Sequence, residues 1–246
     1  MAAPHSSTSG DDEISRRRPS PLPREPMFNM PAVVFGLIVL CVGIHLVRSY
    51  ILTDDQDFWV IVHFAFIPLR YSGGYALDAY AFTGPWTYSL LHGSVAHLAV
   101  NMIWLAAFGS PLTNRIGAVR FVAFWIFTAL AAVALHYVLH SSEATPLIGA
   151  SGAISGMMGA AARFGFRVNR RVAKPAFEGA ILSIPAVFRS RTTVTFLAVW
   201  MVVNLVMGFG FGTSEGGASI AWEAHIGGFL AGFLLVRPFD RASPAS

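Results

Sequence analysis

Gly149-Ala150-Ser151-Gly152-Ala153-Ile154-Ser155-Gly156, continued by Gly159 and Ala160, sets small residues four apart along an apolar stretch. On a helix, Gly152, Gly156 and Ala160 form one ridge, and Ser151, Ser155 and Gly159 form a second. Pro146 lies just upstream, so the helix begins after it. Ridges of small residues let helix backbones approach closely inside a membrane. Ala224, Gly228 and Gly232 repeat the pattern near the C-terminus, directly beside His225.

The rest of the chain fits a membrane setting. Of 246 residues, 54% are hydrophobic and 12% are charged; a soluble domain carries about twice that charged fraction. Apolar blocks at 31–50, 88–109, 118–139, 149–168, 193–212 and 219–237 each approach the roughly 20 residues that a helical span needs. The predicted fold is an all-α membrane protein, a bundle of six transmembrane helices in one domain over 28–240. Residues 1–27 read as a polar, disordered cytoplasmic tail without the features of a signal peptide, and 241–246 as a short cytoplasmic tail. Segment 51–85 is dense in aromatics but broken by Pro68 and Gly73-Gly74, which suits an interfacial loop. A short interfacial helix is predicted at 176–188. Cys41 is the only cysteine, which excludes an intramolecular disulfide and a thiolate metal cage.

Charge supports the span count. With six spans, 15 of the 17 Lys and Arg residues fall on one side: the N-terminal four, Arg115, Arg120, seven between Arg163 and Arg191, Arg237 and Arg241. Only Arg48 and Arg70 fall on the other, with Asp54, Asp55, Asp57, Asp78, Glu143 and Glu215. The split predicts both termini in the cytoplasm. It also explains the net charge of +4 without a nucleic-acid partner.

Polar residues inside spans mark function or packing. Three groups stand out: His92, His97 and Asn101 in span 2; Ser151 and Ser155 in span 4; His225 in span 6. Taken singly, each also reads as packing. Their depth separates the readings. Ser151 lies 12 residues before Arg163, His225 lies 12 before Arg237, and Asn101 lies 14 before Arg115, on helices running the same way. At 1.5 Å per residue, Ser151 and His225 sit roughly 18 Å above the cationic boundary, well inside a hydrocarbon core about 30 Å thick. Asn101 sits at a similar depth.

That layer carries the parts for acyl transfer. A serine hydroxyl needs a base to become nucleophilic, and His225 can supply it. The developing oxyanion needs donors already in place. Ser151 begins a helix, so its own N–H is unpaired, and Asn101 and His92 can add side-chain donors. No carboxylate is predicted at this depth, so a Ser-His dyad is expected rather than a triad. Glu223 falls about 200° around the helix from His225. His45 and His63 read as interfacial. His136 and His140 are spaced i,i+4, a spacing compatible with a metal, but with only Glu143 nearby no metal and no cofactor is expected.

HxxxxHxxxN in one span, GxSG opening a later one and AHxGG in the last resemble the signature of the rhomboid intramembrane serine proteases, of the bacterial six-span type, over about residues 28–237. The resemblance implies a six-helix rhomboid-like bundle with Ser151 as nucleophile and His225 as base. His92, Asn101 and the Ser151 amide would form the oxyanion hole, and His97 would be a structural histidine. Gly149, Gly152, Ser155 and Gly228 would support the site. It further implies single-span transmembrane substrates cut in the lipid bilayer, the bacterial inner membrane as location, and span 5 with the Gly-rich 208–217 segment as gate and cap. Oligomeric state is left open. Two positions depart from the pattern: Ser155 stands where many members place an aromatic, with a hydrogen bond to His225 as its alternative role, and Thr83-Gly84-Pro85-Trp86 replaces a Trp-Arg pair in the first loop.

Two other classes fit the sequence less well. An inactive relative that binds membrane-protein clients usually lacks the serine or the histidine, and this chain has both. A small transporter would use the polar layer as a pathway, but there is no internal repeat and no intramembrane acid for a relay.

Overall fold

The computed structural model describes residues 30–208 and 221–241. The N-terminal tail, most of the predicted cap and all but Arg241 of the C-terminal tail lie outside the described residues. Helices occupy all six predicted places. They are α1 (Ala32–Tyr50), α4 (Val95–Trp104) continued by α5 (Ser110–Ile116), α6 (Ala118–His140), α7 (Ser151–Arg163), α9 (Arg191–Gly208) and α10 (Trp222–Leu235). Shorter helices are α2 (Asp54–Phe64), α3 (Ala79–Thr87) and α8 (Ile184–Arg189). The protein is an integral membrane helix bundle. Apolar side chains such as Phe35, Val39 and Leu46 on α1, Leu130 and Val138 on α6, and Val199, Val202 and Val203 on α9 are exposed on its outside, as a lipid-facing surface requires.

The six helices are of unequal length. Ala32–Tyr50, Val95–Ile116 and Ala118–His140 are long and apolar enough to cross a membrane. By contrast, α7 has 13 residues and α10 has 14, about 20 Å each at 1.5 Å per residue. The reason is placement. Every residue of α7 after Ser151 is buried, so its ends are flanked by protein, where non-helical backbone at membrane depth is tolerated. Its last residue, Arg163, is itself buried; it donates to the Phe233 carbonyl at 2.7 Å and the Leu182 carbonyl at 2.9 Å.

The glycine ridges meet. A Cβ on Gly228 would collide with the Gly152 carbonyl, and one on Gly232 with the Gly156 carbonyl. Helices α7 and α10 therefore touch backbone to backbone along two turns. Because 228 faces 152 and 232 faces 156, the register brings His225 to within about half a turn of Ser151. On its other side α7 meets α6, where Gly156 stands against Thr128 and Gly152 against Ala132 and the Tyr88 hydroxyl.

Local chemistry moves several predicted boundaries. Span 2 starts at Val95 rather than 88, because the Ser94 hydroxyl caps the helix by accepting the His97 N–H at 3.1 Å. The same helix widens into a π turn over Leu105–Gly109, just before Pro111, which lacks the N–H that would bond the Ala107 carbonyl. The first loop is helical rather than irregular. Thr53 and Gln56 form a capping box at the start of α2, Asp57 pairs with Arg48 at 2.6 Å, and Phe66 bridges Leu147. In the connector before α9, residues 176–177 pair with 168–169 as a two-residue hairpin (β1, Val168–Asn169; β2, Ala176–Phe177). The predicted helix there shrinks to α8, with Pro185 in its first turn. At this cationic end Arg115 pairs with Asp240 at 2.7 Å and donates to the Gly179 carbonyl. Three segments expected on one side therefore converge. His45 is buried, not interfacial, with Nδ1 3.2 Å from the His92 carbonyl.

The backbone contact of α7 and α10 has a measurable cost for added volume. Gly232→Ala forces a methyl into the Gly156 backbone and is expected to destabilise the protein by about 1–3 kcal/mol. Gly43→Ala on α1, where nothing lies within 4 Å of the new methyl, should be neutral or stabilising by up to about 1 kcal/mol. Thermal unfolding of the two variants in one detergent compares them directly.

Candidate active site

Ser151 is the first residue of α7, so no residue of the preceding turn is placed to accept its N–H. The chain reaches it through Gly149, whose φ of +126° suits glycine. The Gly149 amide is held by the Tyr88 carbonyl at 3.0 Å, and the preceding Leu147 by the bridge to Phe66. The segment leading into the serine is thus fixed at two points.

The Ser151 hydroxyl lies 2.7 Å from His225 Nε2. The other ring nitrogen, Nδ1, lies 2.5 Å from Asn204 Oδ1 on α9. Asn204 is buried and its Nδ2 donates to the Trp200 carbonyl at 2.9 Å. That bond orients the amide, since the nitrogen faces a carbonyl and the oxygen must face the imidazole. An oxygen at Nδ1 requires that Nδ1 carry the proton of the neutral ring. Nε2 is then a lone pair aimed at the serine hydroxyl. The arrangement can withdraw a proton from Ser151 without any rotation of the ring.

Asn204 was missed in the sequence. Span 5 read as an apolar gate, yet Asn204 is its one amide between Arg191 and Gly208, and a strongly polar residue at such depth is a signal in its own right. With both His225 nitrogens engaged by Ser151 and Asn204, Ser155 holds neither, so its alternative role at the imidazole is not adopted. Glu223 is buried, but its carboxylate contacts His136 and His140.

The two span-2 histidines take different places from those expected. His97 is the one beside the serine. A methyl added at Gly149 would stand 2.7 Å from His97 Nε2 and 3.6 Å from Ser151 Oγ. His92 precedes the helix and is buried. Its carbonyl is anchored by Arg48 at 3.1 Å and contacted by His45, and its ring packs edge-on against His97 with centroids 5.2 Å apart. The helix starts only after Ser94, and the segment before it lays the His92 ring against His97. Asn101 is buried, and among the described residues its Nδ2 has no hydrogen-bond partner; the same holds for both ring nitrogens of His92. Unpaired buried donors are rare. Asn101 Nδ2 is a donor in want of an acceptor on the helix that carries His97.

The family model for the rhomboid domain matches residues 81–240. The chain is 28% identical over 154 residues to RHOMBOID-like protein 5 of Arabidopsis thaliana, covering 60% of this chain and 42% of that one. It is 25% identical over 149 residues to the rhomboid protease GlpG of an Enterobacter species, covering 61% and 45%. It is 31% identical over 144 residues to the rhomboid protease GluP of Bacillus subtilis, covering 58% and 23%. The chain thus spans less than half the length of each of these relatives.

The Ser151–His225–Asn204 chain of hydrogen bonds predicts a graded response to a serine-directed fluorophosphonate probe. Ser151 should be labelled in the wild type and unlabelled in His225→Ala. Asn204→Ala, which removes one orienting hydrogen bond of about 0.5–1.5 kcal/mol, should react about threefold to tenfold more slowly. Labelling rates read by in-gel fluorescence measure all three.

Proposed function

The chain belongs to the rhomboid family, and from that premise we propose that it is a serine endopeptidase that cleaves transmembrane segments of single-span membrane proteins. The observation that carries the reading is the 2.7 Å contact of Ser151 Oγ with His225 Nε2, made where two helices touch at their backbones. In the proposed reaction His225 takes the hydroxyl proton as Ser151 attacks the scissile carbonyl. The tetrahedral oxyanion receives hydrogen bonds from the Ser151 amide and Asn101 Nδ2. His225 then passes its proton to the leaving amine, and an acyl-enzyme remains on Ser151. Water, deprotonated by the same imidazole, releases the second product. Asn204 holds Nδ1–H throughout, as the amide does in Cys-His-Asn proteases. The proposal therefore extends the expected dyad by a neutral third member.

For the histidine of the oxyanion hole, the contact of His97 with Gly149 and its nearness to Ser151 favour His97 over His92. His92 becomes the residue that backs its ring. Gly149, Gly152 and Gly228 act as the small positions that bring Ser151 to His225. We further place the membrane domain over 28–240, with both termini in the cytoplasm of a bacterial cell and the serine reached from the opposite face. The sorting of basic residues supports this orientation.

The test is cleavage of a tagged single-span substrate in proteoliposomes. Ser151→Ala and His225→Ala should abolish cleavage; undiminished activity in either would overturn the assignment. Asn101→Ala should lower kcat by about 10²–10³ with little change in KM. His97→Ala should cost more in kcat than His92→Ala, and the reverse order would return the oxyanion role to His92.

A further inference from the structure

A second cluster of chemistry-bearing side chains lies at the other end of α6 from Arg120. His136 and His140 sit one turn apart on α6 and meet Glu223 from the first turn of α10. His136 Nδ1 is 3.0 Å and His140 Nε2 is 2.7 Å from the same carboxylate oxygen, Glu223 Oε1. The other nitrogen of His140, Nδ1, is 2.6 Å from Glu143 Oε1. The contacts of His136 with Glu223 and of His140 with Glu143 are hydrogen bonds, each met by one N–H of a neutral imidazole. The 2.7 Å approach of His140 Nε2 to Glu223 Oε1 is a close contact without hydrogen-bond geometry. A cation between these two atoms would account for it.

We propose that His136, His140 and Glu223 bind a divalent transition-metal ion of the zinc class. Two imidazoles and a carboxylate are a ligand set that zinc accepts in tetrahedral geometry, with a fourth position for water. The three ligand atoms already lie within 4.8 Å of one another. Bonds of about 2.0–2.2 Å to zinc put tetrahedral ligands roughly 3.3 Å apart, so binding needs only small displacements. Zinc takes the lone pairs of His136 Nδ1 and His140 Nε2. The N–H left on His140 Nδ1 then donates to Glu143, which supplies the outer carboxylate that metal-bound histidines commonly have. The charge of two carboxylates is met by one dication. Entry is open, because the His140 side chain is 32% exposed while those of His136 and Glu223 are 7% and 5% exposed.

The ion would clamp the end of α6 to the beginning of α10, two residues before His225. The site does not depend on the proposed protease chemistry, and the test separates them. Full-length protein in detergent is stripped with a chelator and titrated with Zn²⁺ by calorimetry, and with Co²⁺ by its visible absorption. One ion per chain is expected, with a thermal midpoint that rises with zinc. His140→Ala, at a partly exposed position that tolerates truncation, should lose the Co²⁺ spectrum and the thermal shift while keeping the helical circular dichroism of the wild type. Glu143→Gln should weaken binding about 10- to 100-fold. Ser151→Ala and His63→Ala should bind like wild type. Absence of stoichiometric uptake by the wild type, or uptake by His140→Ala as tight as wild type, overturns the proposal and leaves an extra proton on His140 as what completes the cluster.

Discussion

The site depends on the closeness of α7 and α10. Gly152, Gly156, Gly228 and Gly232 remove four side chains from the seam, and the carbonyl of each α7 glycine rests where a Cβ of α10 would be. A side chain at any of these four positions would push the helices apart and draw Ser151 Oγ away from its 2.7 Å contact with His225 Nε2. Lipid provides no hydrophobic drive to press helices together. Shape complementarity of bare backbone is what remains, and it is least tolerant of an added methyl at the positions that set the register.

A second constraint is the cost of polar groups away from water. The described part of the molecule meets it largely by pairing. Most polar side chains in the bundle are tied to backbone carbonyls: Thr128 to Phe124, Arg163 to Phe233, Tyr88 to Ala129, Asn204 to Trp200. Among the described residues the exceptions are one nitrogen of Arg70, Thr113 Oγ1, Asn101 Nδ2 and the His92 ring, and the last two lie on the segment that carries His97 to Gly149. A buried donor left open costs about 1–3 kcal/mol. Retaining it on the helix that carries His97 is understandable if an acceptor arrives with a bound ligand.

Much of this was legible in the chain because it follows from spacing. The ridges at 152/156 and 228/232 predicted a contact between distant helices, and counting from Arg163 and Arg237 predicted that Ser151 and His225 share a level. Features that depend on where a helix begins were less legible. An angle of 100° per residue presumes an unbroken helix, and Ser94 starts a new one between His92 and His97, so their roles could not be separated by periodicity. Helix lengths failed for a related reason. Hydropathy counts apolar residues and carried the predicted span to 168, but Gly165 and Phe166 adopt positive φ and α7 stops at Arg163. Pairings between spans, such as Asn204 with His225 or Glu223 with His136, leave no periodic trace at all.

The choice of an amide at 204 follows from the same environment. A carboxylate there would strengthen the hold on His225, but it would bring a full charge into a buried position whose only other contact described is a helix carbonyl. The effective penalty for an ion taken out of water is several kcal/mol, more than one orienting hydrogen bond returns. Asparagine provides the same oxygen to Nδ1 at no charge, and its NH₂ satisfies Trp200 in a way that a carboxylate would oppose. The acid that the chain does carry near this level, Glu223, is turned to two imidazoles that could neutralise it. Placing neutral orientation at His225 and ionic pairing at the partly exposed end of α6 lets one short helix, α10, serve both without a buried unpaired charge.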